Sequence, residues 1–369
     1  MTDEIVSHGY DKDKLTLVVD GETIGGWEEV SVTLRAEGFP NSFQVKATMP
    51  PGGVLTVFAG DPCVVKMGGD TVITGFVDRV IDSADELSHS ITIGGRGLSQ
   101  DLVDCGAEWP SHQLINGNAL TIAQQLASAY GLTVIMGNGA SPGPDIKSFA
   151  LNYGETGADI IQRVARNAGL LAYEDALGRV VLANAGSVTA ASGATYGDNA
   201  QAWSVEHTLD QRFSDYVCCY VSNAAFDNGV NGPGGDQYYR ATDPGVTRHR
   251  LHYLVVEAVA ADAQEFTRTR ARWEASRRSG RSFVVKATVD AWRDSAGTLW
   301  APNTLIPLNG GGVNNSQTFV ISEVTFRRSN DRGTIADIVA MPPNAFTPEP
   351  IVLQPVNSVG LVPLPPQKP

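Results

Sequence analysis

The octamer "SFQVKATM" at residues 42–49 returns as "SFVVKATV" at 282–289, with six of eight positions identical. Any β-strand draws on few residue types, so the match gains its weight from the order of the segments after each copy. "LTVFAGDPCVV" at 55–65 is answered by "GTLWAPNTLIPL" at 297–308. "TVITGFVDRVIDS" at 71–83 is answered by "TFVISEVTFRRS" at 318–329, and "SHSITIGG" by "GTIADIVA". Both halves run strand, turn, aromatic-Ala corner, strand, Gly-rich loop, long strand, turn, strand. An ordered series of this kind is an internal repeat, and it predicts one small antiparallel β-barrel present twice.

Outward from the first copy the period-two pattern persists. In "VSVTLR" Val30, Val32 and Leu34 share one face while Ser31, Thr33 and Arg35 share the other. Gly, Pro and Asp turns separate such runs, as in an antiparallel β architecture. The texture then changes. "GNALTIAQQLASAYG" (117–131) and "ETGADIIQRVARNAG" (155–169) carry apolar residues at helical spacing. Thr156 is placed to cap the second helix, and Gly131 and Gly169 to stop the two. "LLAYEDALGRVVLAN" reads as a hairpin turning at Asp175 to Gly178. The fold class expected is mainly β with an α+β insert. Its parts are a first β-barrel at 1–97, an α+β region at 98–185, and an irregular section at 186–280. A second β-barrel at 281–342 and a Pro-rich extended arm at 343–369 complete it. Within the irregular section, 226–245 is too rich in Gly, Asn and Asp to be other than a long loop. "NGGGVNN" in the second half reads as a surface turn or a segment ordered by a partner. From residue 342 on, nine of the last 28 positions are Pro, which bars helix and central strand.

"ITIGGRGLSQDLVDCGA" at 91–107 poses a chemical question. A phosphate loop needs GxxxxGK[ST], or GxGxxG between a strand and a helix, so that backbone N–H groups converge on an anion. Here the spacing is G-G-R-G-L-S with no Lys, and a domain corner is the better reading, with Gly allowing positive φ. GxSxG, HExxH and Cys-His-Asn patterns are absent. The six histidines are scattered; only His249 and His252 lie close, in a strand-like context. Glu155 and Glu174 are the nearest candidates for a carboxylate pair, and a helix start and a hairpin explain them equally well. No catalytic, metal or cofactor residue is nominated, and no enzymatic activity is expected.

The formal net charge of -13 disfavours nucleic-acid binding, which needs a basic footprint. No apolar run approaches the ~18 residues that span a bilayer, and the acidic start "MTDEIVSHGYDKDK" is unlike a secretory signal, so no membrane anchoring is expected. Cys63, Cys105, Cys218 and Cys219 form no CxxC pair and suit free thiols in a reducing compartment. The most specific charged feature is the helix "AADAQEFTRTRARWEASRRSGR", with six Arg between 268 and 281. Phe266 and Trp273, seven apart, are expected to anchor it to the core. Arg268, Arg272, Trp273 and Arg277 are the candidate partner-interface residues, because Arg suits desolvated pairing with carboxylates. A solvated helix face is the alternative.

Three runs resemble one family in order. "ITGFVDRVIDSADELSHSITIGGRGLSQDLVDCGA" is similar to the exit from the first barrel of the Mu-type phage baseplate hub, or phage tail protein P, family. "GETGADIIQRVARNAGLLAYEDALGRVVLAN" resembles its helix and hairpin. "ARWEASRRSGRSFVVKATVDAWRDSAGTLWAPNTLIPL" resembles its entry to the second barrel. The resemblance spans most of residues 15–342. It implies a virion structural protein of a contractile tail baseplate, assembled in the host bacterial cytoplasm and related to the type VI secretion spike hub. It also implies a homotrimeric ring of six barrels joining a sixfold tail tube, or tube initiator, to a threefold central spike. Other baseplate proteins would be met by the C-terminal arm. The reading from a different class is a tail-associated cell-wall-degrading or glycan-binding protein, disfavoured because barrels, α+β region and arm leave no segment for a catalytic module.

Overall fold

The computed structural model describes residues 12–48, 56–86, 89–109, 113–220, 237–256, 263–313 and 317–351. Alternation along the chain becomes strand faces. β1 (Leu15–Val19) buries Leu15, Leu17 and Val19, and β2 (Glu22–Ile24) returns antiparallel to it. β3 (Glu29–Arg35), β4 (Ser42–Thr48), β5 (Pro62–Met67), β6 (Asp70–Ala84) and β7 (His89–Gly97) come next along the chain. Their lateral order is β3-β4-β7-β6-β5, with β1 and β2 beyond β5.

The corner after β7 opens the α+β region. It comprises α1 (Gln100–Asp104), β8 (Gln113–Gly117), α2 (Ala119–Ser128), β9 (Val134–Met136), β10 (Ile146–Ala150), α3 (Gly157–Asn167), β11 (Leu171–Glu174) and β12 (Val180–Ala183). Both longer helices begin in capping boxes, from Asn118 and from Thr156, each of which is worth about 1 kcal/mol. Gly131 and Gly169 follow the helices with φ of +67° and +74°, the left-handed conformation that ends a helix most cheaply. Ile122, Leu126, Ile160, Ile161 and Val164 meet in a core separate from that of the large sheet.

The Gly corner does hold an anion, and the anion is the chain's own Glu174. Its Oε1 accepts the Ser99 N–H and its Oε2 the Asn41 N–H, both at 2.9 Å. Gly97 is glycine because an added Cβ would lie 1.9 Å from a carboxylate oxygen. Gly95 faces the Phe76 carbonyl and the Phe43 ring in the same way. Gly95 and Gly97 are therefore required for close approach, and none of Gly94, Gly95 and Gly97 has the positive φ expected from the sequence. Burial pushes the Glu174 carboxyl above the usual carboxylate range, although the N–H groups of Ser99 and Asn41 pull it down. Beside the corner, Arg96 grips both oxygens of Asp104 in α1 and one of Asp78 in β6, tying the helix to the sheet.

After β13 (Val188–Thr189), β14 (Ala194–Thr195) and β15 (Ala200–His207) the chain forms a small layer. β16 (Asp215–Tyr220) is flanked by β17 (Gln237–Thr242) and β18 (Leu251–Val256), and α4 (Ala263–Arg281) covers one face. The loop expected at 226–245 is thus shorter, since 237–242 pairs with β16 in full register. Residues 221–236 lie outside the described set. β19 (Phe283–Val289), β20 (Thr304–Asn309), β21 (Thr318–Ser329) and β22 (Gly333–Met341) then complete the second half.

Its lateral order is β15-β19-β22-β21-β20, the same as in the first half. Two small β-barrels were expected; the strands of the two halves are found joined in one curled 14-stranded sheet. β3 does not close the first half. It crosses to β21, pairing Arg35 with Glu323 and Glu29 with Ser329, and so satisfies an edge that would otherwise be open. The inner faces share one core, in which Val32, Phe43, Val45 and Ile93 meet Val285, Phe319, Val324, Phe326 and Trp292. Burial of such side chains contributes roughly 1.5–3 kcal/mol each, which fixes the two halves to one another.

Candidate assembly interface

α4 presents two different faces. Toward the β17-β16-β18 layer it turns Thr267, Ala271, Glu274 and Ala275, all buried, with the two alanines packing against Tyr216, Cys218 and Ala241. The expected anchors lie elsewhere. Phe266 is only half-buried, and Trp273 is half-buried on the opposite side, because the fully buried Tyr216 fills the space and leaves room for little beyond a methyl group. Trp273 is held between the guanidinium groups of Arg270 and Arg277, 4.7 and 5.5 Å from its ring, and donates its indole N–H to the Thr347 carbonyl at 2.7 Å.

That carbonyl belongs to the start of the Pro-rich arm. A 3-10 turn, Pro343–Phe346, buries Ala345 and Phe346, and the chain then runs along α4 as a strap. Arg277 also donates to the Thr347 carbonyl at 2.8 Å, Asn344 to the Ser276 carbonyl at 2.8 Å, and Arg281 to the Ala345 carbonyl at 3.0 Å. Gly280 lets the turn approach, since a Cβ there would lie 2.4 Å from the Ala345 nitrogen. Residues 343–351 are thus docked on their own chain, whereas the sequence suggested an extended arm from 343 onward. Residues 352–369 lie outside the described set.

Carboxylates from two other regions, and one of the helix's own, pair with the arginines of α4. Glu37, between β3 and β4, pairs with Arg277 at 3.3 Å and with Arg281. Glu349 on the strap pairs with Arg270 and lies 3.8 Å from Arg166 of α3. Glu274 takes Arg278 at 2.5 Å. Burial, with Arg281 alongside, holds the Arg277 guanidinium below its usual range, and Glu37 works against that shift. Of the four residues nominated from sequence, Trp273 and Arg277 make contacts within their own chain. Arg268 and Arg272 are exposed; Arg268 reaches Glu265 at 3.5 Å and Arg272 hydrogen-bonds the Tyr239 hydroxyl at 3.2 Å. Glu37 and Glu349 gave no sequence signal, because Glu349 lies 79 positions from Arg270 and Glu37 lies 240 from Arg277.

The sheet face turned away from α4 is open. Pairing places Tyr238, Tyr253 and Val255 together on it, around Val217 and Cys219, and the first three are exposed. His249 stands 3.6 Å from Asp215, and His252 stacks on Phe213. Among the described residues no group of three His, Cys, Asp or Glu side chains could hold a metal ion. All four cysteines are free, and burial pushes the Cys63 thiol up to about 12 and the Cys218 thiol to about 11.

Comparison with known proteins gives a consistent set of relatives. The N-terminal domain family of the Mu phage baseplate assembly protein GpP matches residues 14–97. The second-domain family of the baseplate hub protein gp44 matches 99–184, and the GpP fourth-domain family matches 263–349. The baseplate hub protein gp44 of Escherichia phage Mu is 31% identical over 348 residues, covering 90% of this chain and 88% of that one. The 43 kDa tail protein of prophage MuSo2 from Shewanella oneidensis superposes with a TM-score of 0.81 at 28% identity, over 90% of this chain and 99% of that one. An E. coli type VI secretion component, described as similar in structure to T4 bacteriophage tail proteins gp27 and gp5, shares the fold. Its TM-score is 0.54 at 11% identity, over 92% of this chain and 80% of that one.

Proposed function

Because the chain belongs to the Mu-like phage baseplate hub family, we propose that three copies close into a ring that joins a sixfold tail tube to a threefold central spike. The observation that carries this reading is the duplication. One chain holds two five-strand units of the same lateral order, joined edge to edge through β3 and β21. Three such chains offer six near-equivalent units around an axis while remaining a threefold object, as an adaptor between the two symmetries requires.

The ring takes its place in the virion baseplate and is assembled in the host cytoplasm. Its work lies in interfaces, with no hydrolytic step, so labelled peptidoglycan incubated with it stays intact. In this reading the division expected from sequence keeps its sense as units of evolution: two β units, an α+β insert, a middle layer and an arm. Arg268 and Arg272 face a carboxylate-bearing neighbour, and the chain beyond residue 351, rich in Pro and aliphatic residues, docks in extended form on another baseplate protein.

Light scattering on a sizing column tests the reading. The expected mass is close to three times 39.2 kDa. A chain that remains at 39.2 kDa at high concentration, and still does so with spike protein added, would overturn it.

A further inference from the structure

The internal repeat also says which edges meet. In the second half, β21 is covered on one side by β22 along its length. On its other side β20 covers Thr318 to Val320, and β3 continues from Glu323 to Ser329. The first half has the same long strand in β6. β7 covers one side; on the other β5 pairs as far as Phe76, and Gly60 and Asp61 just before it bond Val77, as Asn303 bonds Ile321 in the second half. Beyond that, among the described strands, nothing pairs with the second side of β6. β21 shifts register against β22 between Ile321 and Glu323, and β6 shifts against β7 between Val77 and Arg79. Aligning the two shifts also aligns the last strand-paired residues, Val320 and Phe76. The free stretch of β6 is then the counterpart of the stretch of β21 that receives β3.

The counterpart of β3 is β15. Val30 of β3 opposes Val45 of β4, and Val205 of β15 opposes Val285 of β19, the matching residue of the repeated octamer. On that register "VSVTLR" at 30–35 overlies "VEHTLD" at 205–210, with Val, Thr and Leu in common. β15 pairs with β19 alone among the described strands. Both free edges expose apolar side chains. Ile81 on β6 is 41% exposed, Leu209 just past β15 is 43%, and Phe58, on the turn where β5 leaves β6, is 64%.

We propose that β15 of one subunit, with Thr208, Leu209 and Asp210 at the turn that follows it, adds to the free edge of β6 of the next, reproducing between chains the β3–β21 pairing seen within one. The Asp210 carboxylate, which here accepts from the Thr208 hydroxyl and the Gln211 N–H, turns to the neighbour. This rests on the ring reading above and names its contact. The polar contacts agree. Within the chain Arg35 pairs with Glu323 at 3.0 Å, and the Thr33 and Thr325 hydroxyls are 3.0 Å apart, on the sheet face away from the core. At the corresponding positions of the free edges stand Asp210 and Arg79, so the ion pair recurs with its charges exchanged. Thr208 meets Ile81 where Thr33 meets Thr325, and Leu209 covers Val80 where Leu34 opposes Val324. A contact between two different edges is head-to-tail, which closes into a ring when the rotation from one subunit to the next returns on itself, and it covers the open edges of β6 and β15.

The exchange of charges supplies the test. Arg79→Glu places two carboxylates together at each contact, and the trimer is expected to fall apart by at least about tenfold in concentration. Asp210→Arg does the same, and the double variant R79E/D210R restores the trimer. Independently, Thr208→Cys with Ile81→Cys is expected to give disulfide-linked trimers under mild oxidation that neither single variant gives. A wild-type trimer that survives Arg79→Glu and shows no cross-link would overturn this contact and leave the ring reading standing. A wild-type chain that is monomeric with and without spike protein would overturn both.

Discussion

Gly97 and Glu174 show how much can rest on one backbone approach. A methyl group at residue 97 occupies the place of a carboxylate oxygen, 1.9 Å away. Gly97→Ala is therefore expected to displace Glu174 from two buried N–H donors at a cost of about 1–3 kcal/mol, read as a lower urea midpoint. The same carboxyl has a pH signature. Its folded value lies above the ordinary 4.5, so its proton-linked contribution is complete below pH 4.5 and is lost as pH rises through the raised value. Measured by denaturation across this range, the advantage of the parent over Glu174→Gln is expected to be greatest at acid pH and to narrow toward neutrality. A gap that widens with pH would show that the N–H donors outweigh burial. The sequence displayed the glycines and the carboxylate separately; their meeting joins positions 77 residues apart, and no local pattern records that.

At the scale of elements, legibility followed the range of the interaction. α3 was readable to its Thr156 cap and both helices to their stop glycines, because these act within one turn, whereas the Asn118 cap of α2 went unread. The octamer and the segments after it were readable because duplication left matching residues. The partner of β3 was not, since nothing in "VSVTLR" tells whether its outer edge returns to its own half or crosses to β21. β17 was missed because its six residues adjoin a stretch of Gly and Asn that dominated the local composition. For α4 the bulk of Trp273 misled, whereas the alanines at 271 and 275 mark the true packing face. Phe346 is fully buried against Val320 and Met341, so Phe346→Ala is expected to cost about 3–5 kcal/mol and to lower the melting temperature sharply. Glu349→Ala removes a partly exposed ion pair, and a loss of about 1 kcal/mol or less is expected. The double charge reversal at Arg268 and Arg272 is expected to leave the melting temperature unchanged and to abolish co-purification with a baseplate partner; retained binding would assign these residues to solvent.

For the whole molecule, one chain carries the same unit twice, which in the proposed ring solves a symmetry problem. Within the chain β3 and β21 hold the two units in a fixed relation, and a shared apolar core makes that relation rigid. If the same relation is repeated between chains, six units close after three copies. The most direct test is electron microscopy of the purified protein viewed down its axis. A closed ring of six lobes is expected, alternating in fine detail with threefold symmetry. A twofold dimer, an open filament or dispersed single chains in the presence of spike protein would refute the ring.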